Sequence, residues 1–212
     1  MEIEKILKTI SKERFSSYRK RYPNDLNKSF LLYQYNIEVS QSFYSNLSVL
    51  EISIRNTINQ SCIKHFGTDD WLVENMPRTL EKQITDIKTK LLKSSKQPTN
   101  DRIIAELNFG FWTTLFNRSN AKLFWKPLLK AFPYLPNDMR KRTKVSSKLN
   151  RLRTFRNRIY HYDPIVWDLK ELILRRKEIN EILIWIEPET AKWADSIDTF
   201  NDVKQKIKRN VK

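Results

Sequence analysis

Two glycines, Gly67 and Gly110, are all that the 212 residues contain. Tight hairpins and phosphate-cradling loops depend on glycine, which reaches positive φ without steric cost. Its scarcity argues against hairpin-rich sheets and against P-loop chemistry. The single cysteine, Cys62, excludes an internal disulfide and any cysteine-based zinc site. Set inside an apolar run, it reads as a small buried hydrophobe. No apolar stretch approaches the ~20 residues that span a bilayer. The opening segment MEIEKILKTISKERF alternates charge and lacks the apolar stretch of a secretory signal. A cytoplasmic protein without a membrane partner is expected.

Acidic residues are also in deficit. Against 40 Lys and Arg stand 24 Asp and Glu, a formal net charge of +16 with an isoelectric point near 9.9. Such an excess attracts polyanions, of which nucleic acid is the commonest in a cell. Charge alone does not separate RNA from DNA.

What the chain does have is helical periodicity, punctuated by eight prolines. Residues 2–20 read as a short amphipathic helix or helix pair, broken before Pro23. From Ser29 as N-cap, a long helix should run to Phe66 and close at Gly67. Leu47, Leu50, Ile54, Ile58 and His65 share one of its faces, while Val49, Ile52 and Ile63 cover much of the other. A helix apolar on two sides is a central, buried one. Residues 71–93 carry a weaker amphipathic helix after Pro77, with Leu80, Ile84, Ile87 and Leu91 at helical spacing. A polar loop, Ser94–Asn100, follows, and Thr99 or Asn100 caps the next helix. ELNFGFWTTLF packs aromatics around Gly110, where two helices approach closely. Further helices are predicted over about 137–162, 167–186 and 189–209. The expectation is one all-α domain over 1–212, with an N-terminal helical extension (1–25), a core (29–187) and a C-terminal helix (188–212).

The informative segment lies between Met139 and Tyr162, which holds nine Lys/Arg and no Asp or Glu. Arg140, Lys141, Arg142, Lys144, Lys148, Arg151, Arg153 and Arg158 are the candidate contacts to an RNA backbone. A solvated basic face is the plainer alternative. Val145, Leu149, Leu152, Phe155 and Ile159 form a continuous apolar stripe, and Arg156 falls in the middle of it. A guanidinium left buried and unpaired costs several kcal/mol. Arg156 must therefore pair with a carboxylate of the chain or point into a cleft or interface that receives an anion.

Five residues later comes His161, near the helix end, where a histidine often serves only as a capping or surface residue. Here it keeps company with Arg153, Arg156, Asn157, Arg158 and Tyr160. Asn157 and His161, four apart, share a face, so the amide can orient the imidazole. Cleaving RNA needs a base for the 2′-hydroxyl proton, an acid for the leaving oxygen and cations for the phosphorane charge. Histidine and arginine supply those roles without a metal or other cofactor. Along a straight helix, however, residues 156 and 161 differ by ~140° in direction and ~7.5 Å in height. One copy does not readily wrap a phosphate. Two copies facing across a symmetric interface could.

LRTFRNRIYHYDPI resembles the Arg-x4-His signature of HEPN ribonucleases, with Arg156, Asn157 and His161 as its Arg, polar residue and His. More specifically it resembles the Abi-like (abortive infection) branch, whose motif reads much like L-R-N-R-x-x-H-H-E-P-I. The likeness extends to LYQYNIEVSQSFYSNLSVLEISIRNTINQSCIKHFGTDDW, with Leu50-Glu51 and Arg55-Asn56, to LNFGFWTTLF and FWKPLLKAFP, and to LILRRKEINEILIWIEPETAKW. It covers about 180 of the 212 residues. The resemblance implies an α-helical HEPN-like bundle with additional helices. It implies a homodimer whose paired motifs make a metal-independent endoribonuclease site, and a toxin-like role in antiphage defence, where RNA cleavage halts the infected cell. Such a nuclease must be silenced, by a partner protein, a bound RNA or low abundance. By position Arg156 would stabilise the phosphate, Asn157 would orient, and His161 would act as acid or base. Tyr162 departs from the pattern, standing where many relatives have a second histidine, though its hydroxyl can still donate a hydrogen bond.

Glu51, Arg55 and Asn56 either brace the core as a polar network, with Glu51 pairing Arg55 at i,i+4, or line the RNA site. His65 reads as a satisfied core histidine. The main alternative function is a non-catalytic RNA-binding module in a protein–RNA complex. A DNA-binding regulator fits less well, because Arg156 lies on the apolar stripe rather than an exposed reading face. Two distant histidines give a metallo-nuclease poor support, and the glycine shortage leaves no nucleophile elbow for a serine or cysteine hydrolase.

Overall fold

The helix α3 runs 41 residues, from Leu26 to Phe66, about 60 Å, and organises the rest of the chain. The structure, a computed structural model, describes residues 2–74 and 76–210. Among these residues there are twelve α-helices, two short 3₁₀ turns and no strand. The chain is all-α. In order they are α1 (Ile3–Ile10), α2 (Lys12–Arg21), α3, α4 (Trp71–Glu74), α5 (Arg78–Lys93), α6 (Asn100–Glu106), α7 (Phe109–Thr114), α8 (Ala121–Lys130), α9 (Arg142–Tyr160), α10 (Leu169–Ile186), α11 (Pro188–Ser196) and α12 (Phe200–Asn210). No helix among them is long and apolar enough to cross a membrane.

Helix α3 starts three residues before the expected Ser29. The Asp25 carboxylate accepts from the Lys28 N–H at 2.8 Å and is the cap. Ser29 lies buried one turn inside, donating its hydroxyl to Tyr22 and Asp25 carbonyls. The other end closes as the sequence indicates, with Gly67 at φ 75° and its N–H on the Ile63 carbonyl. Leu47, Val49, Leu50, Ile54, Ile58 and Cys62 are buried, and burial pushes the Cys62 thiol up to about 12, in keeping with an inert hydrophobe. Ile52 is not buried. Ile37 and Tyr44 are exposed as well and share a face of α3, nearly two whole turns apart, while Ile52 lies roughly 60–80° around the helix from them. His65 is half-buried, its ring set edge-on against Phe66.

Helices α2, α8, α10 and α12 lie along α3. The first 25 residues are part of the packing rather than an appendage: Phe15 and Tyr18 are buried, and Tyr18 meets the rings of Tyr33 and Trp167. The amphipathic helix expected after Pro77 within 71–93 is α5, whose Leu80, Ile84 and Leu91 are buried, and the short α4 precedes Pro77. The expected C-terminal helix is two helices. Asp198 breaks it, one carboxylate oxygen capping the Phe200 N–H while the other receives Asn46 and Arg176. Residues 211–212 lie outside the described residues. The expected helix over 137–162 is a 3₁₀ turn at Asn137–Met139 followed by α9, which packs against α7 and α10. Phe155 reaches α3 at Phe43, with ring centroids 4.8 Å apart.

Candidate nucleic-acid interface and catalytic motif

Val145, Leu149, Leu152, Phe155 and Ile159 are all buried, so the apolar stripe of α9 is the face turned to the core. Arg156 sits in that stripe with its side chain 23% exposed. Its Nη2 lies 3.3 Å from the Glu51 carboxylate of α3, and its guanidinium stacks over Tyr160 at 3.9 Å from the ring centroid. Its Nε is buried with no acceptor among the described residues. Arg156 therefore has its carboxylate, but the pair is long for a charge-assisted bond and leaves a donor unused. The Tyr160 phenol is pushed up, first by desolvation, with Arg156 opposing and Tyr44 and Glu51 adding to the rise.

His161 is the C-cap of α9, and its N–H donates to the Asn157 carbonyl at 2.9 Å. Both side chains are exposed. The link between positions 157 and 161 runs through the backbone, and among the described residues no hydrogen bond joins the amide to the imidazole. The next residues close the helix as a Schellman motif. Tyr162, at φ 59°, donates to the Ile159 carbonyl, and the Asp163 N–H donates to Arg158 at 2.8 Å. Glycine is the usual residue at such a left-handed position, and a side chain there costs roughly 1–2 kcal/mol.

Two residues that sequence reasoning missed hold this end in place. Arg14 of α2 donates to the Tyr162 carbonyl at 2.9 Å and the His161 carbonyl at 3.4 Å. Asn36 of α3, only 3% exposed, accepts the N–H groups of Ile165 and Val166 and donates to the Asp163 carbonyl. The signal for Asn36 was available. It is an amide among Leu32, Tyr35, Val39 and Phe43, and a buried amide in an apolar helix needs partners. Arg158 adds a bond to the Pro164 carbonyl at 2.6 Å.

The basic residues of this segment do not form one surface. Arg140, Lys141 and Lys144 are exposed around the N-terminus of α9, where no acidic residue occupies the first turn. Positive charge is unfavourable beside the positive end of a helix dipole, and an anion there relieves it. Arg142 turns inward to the Phe116 carbonyl at 2.8 Å. Lys148 leaves the proposed RNA surface altogether: it is buried, ion-paired with Glu181 and stacked on Trp185. Periodicity explains the difference, since position 148 falls on the side of α9 facing α10. Arg151 pairs with the buried Glu178 at 2.5 Å. It shares a groove of about 390 Å³ between α9 and α10 with Asn150, Thr154, Arg158, Glu171 and Arg175. Burial opposes the charge on Arg175, but Glu171 and Glu178 more than offset it and raise its pKa. That groove sets Arg151, Arg158 and Arg175 against Glu171 and the adjacent Glu178, and it does not include Arg156 or His161.

On the opposite side, Arg153 has a buried Nε without an acceptor among the described residues. A Cβ on Gly110 of α7 would come within 3.8 Å of its Cδ, so the close approach read at Gly110 brings α7 to Arg153. Arg55 places Nη1 3.4 Å from the Ala105 carbonyl, and its Nε too is buried without an acceptor. Glu51 does not pair with Arg55 as i,i+4 spacing suggested, because Arg156 takes it. Asn56 is exposed, roughly 140° around α3 from Glu51. Among the described residues no group of three or more His, Cys, Asp or Glu is gathered as a metal site. Compared with models of protein families, with curated proteins and with solved structures, the chain matches none.

Proposed function

We propose that this chain is a metal-independent endoribonuclease of the Abi-like HEPN type, acting in bacterial antiphage defence. The observation that carries the reading is the pairing of an exposed His161 with a half-covered Arg156 at one braced helix end. In the reaction a histidine takes the proton of a 2′-hydroxyl, and the 2′-oxygen forms a bond to phosphorus. The bond from phosphorus to the 5′-oxygen breaks, and an acid protonates the leaving oxygen. Arginine stabilises the crowded phosphorane. The products are a 2′,3′-cyclic phosphate and a 5′-hydroxyl. The directions of residues 156 and 161 around α9 make a single copy incomplete, so the active form is a homodimer. The exposed Ile37 and Tyr44 on one face of α3 offer apolar area for a second copy.

The test is end-group analysis of RNA incubated with the protein in excess chelator. Cyclic phosphate ends are expected. Ends bearing 5′-phosphate, or cleavage that requires added magnesium, count against the reading. The contact between Glu51 and Arg156 favours a second reading, a non-catalytic RNA-binding module, and binding without cleavage would select it.

The basic residues divide by what they touch. Charge removal at Arg140, Lys141 and Lys144 should weaken RNA binding for every sequence and flatten its salt dependence by about one unit per lost contact. Lys148→Ala should leave that slope unchanged and lower stability by about 1–2 kcal/mol, the cost of losing the closer of Glu181's two cations and leaving it Lys177 alone. Filter binding across a salt series, beside urea unfolding, separates the two groups.

A further inference from the structure

We propose that Arg55, Arg153 and Arg156 form one receptor for a phosphodiester, and that Glu51 occupies it in the free protein and is displaced when a nucleic-acid strand binds. This rests on the ribonuclease reading only for the identity of the strand as RNA. The receptor itself stands on the arginines. Asn36 meets residues 163–166, whereas Glu51 meets Arg156, so α3 and α9 run antiparallel past each other. One turn onward from Glu51 is Arg55, and one turn back from Arg156 is Arg153. Both therefore lie on the same side of the Glu51–Arg156 contact. Arg153 is further bounded by Gly110 of α7, and Arg55 by the Ala105 carbonyl of α6.

Three guanidinium groups thus belong to residues within about one helical turn of one ion pair, Glu51–Arg156. In each of them, among the described residues, the Nε is buried with no acceptor. A buried unmade hydrogen bond is costly, and three in one place mark a cluster short of acceptor oxygens. Glu51 supplies too few: among the described residues its ion pair is with Arg156 alone, at 3.3 Å. A phosphodiester brings a full charge and more oxygens in the geometry that guanidinium forks match. The buried Nε atoms are covered, so an anion reaches them only when a covering group moves. Glu51 is the group suited to move, because its side chain, like that of Arg156, is 23% exposed and an incoming anion repels it. Tyr160 lies under the Arg156 guanidinium and keeps its plane fixed during the exchange.

The experiment uses the full chain and a 2′-O-methyl oligoribonucleotide, which cannot be cleaved through its 2′-oxygen. Glu51→Gln keeps the shape and removes the charge. It should bind the oligonucleotide about five- to tenfold more tightly, and the salt dependence should steepen by about one unit. Placing Arg55→Gln or Arg153→Gln on the Glu51→Gln chain should erase the gain. In the otherwise native chain Arg55→Gln should weaken binding about fivefold, which keeps the test open if Glu51→Gln folds poorly. Inorganic phosphate, added at constant ionic strength, should raise the melting temperature of Glu51→Gln more than that of the native chain. Equal or weaker binding by a folded Glu51→Gln chain, or a gain that survives Arg55→Gln, overturns the proposal. Failure to cleave native RNA would instead strike the ribonuclease reading and leave these binding results standing.

Discussion

Asn36→Ala should lower the free energy of unfolding by about 3 kcal/mol, on the order of 10 °C in melting temperature for a chain of this length. The amide closes a gap of well over one hundred residues in sequence, and its Oδ1 is the acceptor for two consecutive N–H groups, those of Ile165 and Val166. Both residues are buried, at 4% and 3% exposure. Alanine would leave two donors without their protein acceptor, at a cost of roughly 1–3 kcal/mol each. The Asp163 carbonyl loses its donor as well. Arg14 and Arg158 still tie the neighbouring carbonyls, so the loss should be local before it is global. Amide hydrogen exchange would show it as faster exchange at Ile165 and Val166, with the N–H groups inside α3 keeping their protection. Unchanged exchange at those two amides would mean that the loop holds itself. Because the same loop continues from His161, cleavage should fall in this variant further than the unfolded fraction accounts for.

The helical class, the central α3 and the stripe of α9 were legible because each rests on a local pattern. Gly67 ends α3 where a left-handed residue is needed, and the five apolar residues from Val145 to Ile159 are buried as their spacing requires. What the sequence hid were choices made by partners far away in the chain. Asp198 splits the last helix because Arg176 and Asn46 converge on it. Lys148 looked like its exposed neighbours, and only Glu181 and Trp185 on α10 set it apart. Glu51 sits one turn from Arg55 in sequence, yet α9 delivers Arg156 to it instead. Arg156 itself was readable as an arginine in need of a partner, while the identity of that partner required the fold. Arg14 carried no local signal at all: it is one of several cations in α2, and only the carbonyls of His161 and Tyr162 distinguish it.

His161→Ala should reduce the rate of RNA cleavage by about 10²–10⁴-fold, the usual contribution of a positioned acid or base. The chain should fold normally, because the His161 side chain is exposed and only its backbone takes part in closing α9. Unchanged urea unfolding would confirm that the loss is chemical. The same variant tests whether the active site is shared between copies. Arg156 lies on the buried face of α9, whereas His161 projects from its exposed end, and the two point in directions ~140° apart. A phosphate held by one cannot readily be reached by the other within a single chain. If the two His161 side chains of a homodimer serve one cleft as base and acid, a His161→Ala subunit disables the native subunit that it joins. Native chains mixed with nine parts of His161→Ala chains at constant total concentration, unfolded and refolded together so that subunits redistribute, should then keep about one-hundredth of the all-native rate, against about one-tenth for independent subunits. Light scattering with and without the 2′-O-methyl oligonucleotide would follow assembly in the same samples. The net charge of +16 on each copy opposes pairing, so bound RNA should shift the population toward the dimer as salt is lowered. Full activity from a particle that stays monomeric, with the rate falling only in proportion to dilution, would place catalysis within one chain and overturn the composite site.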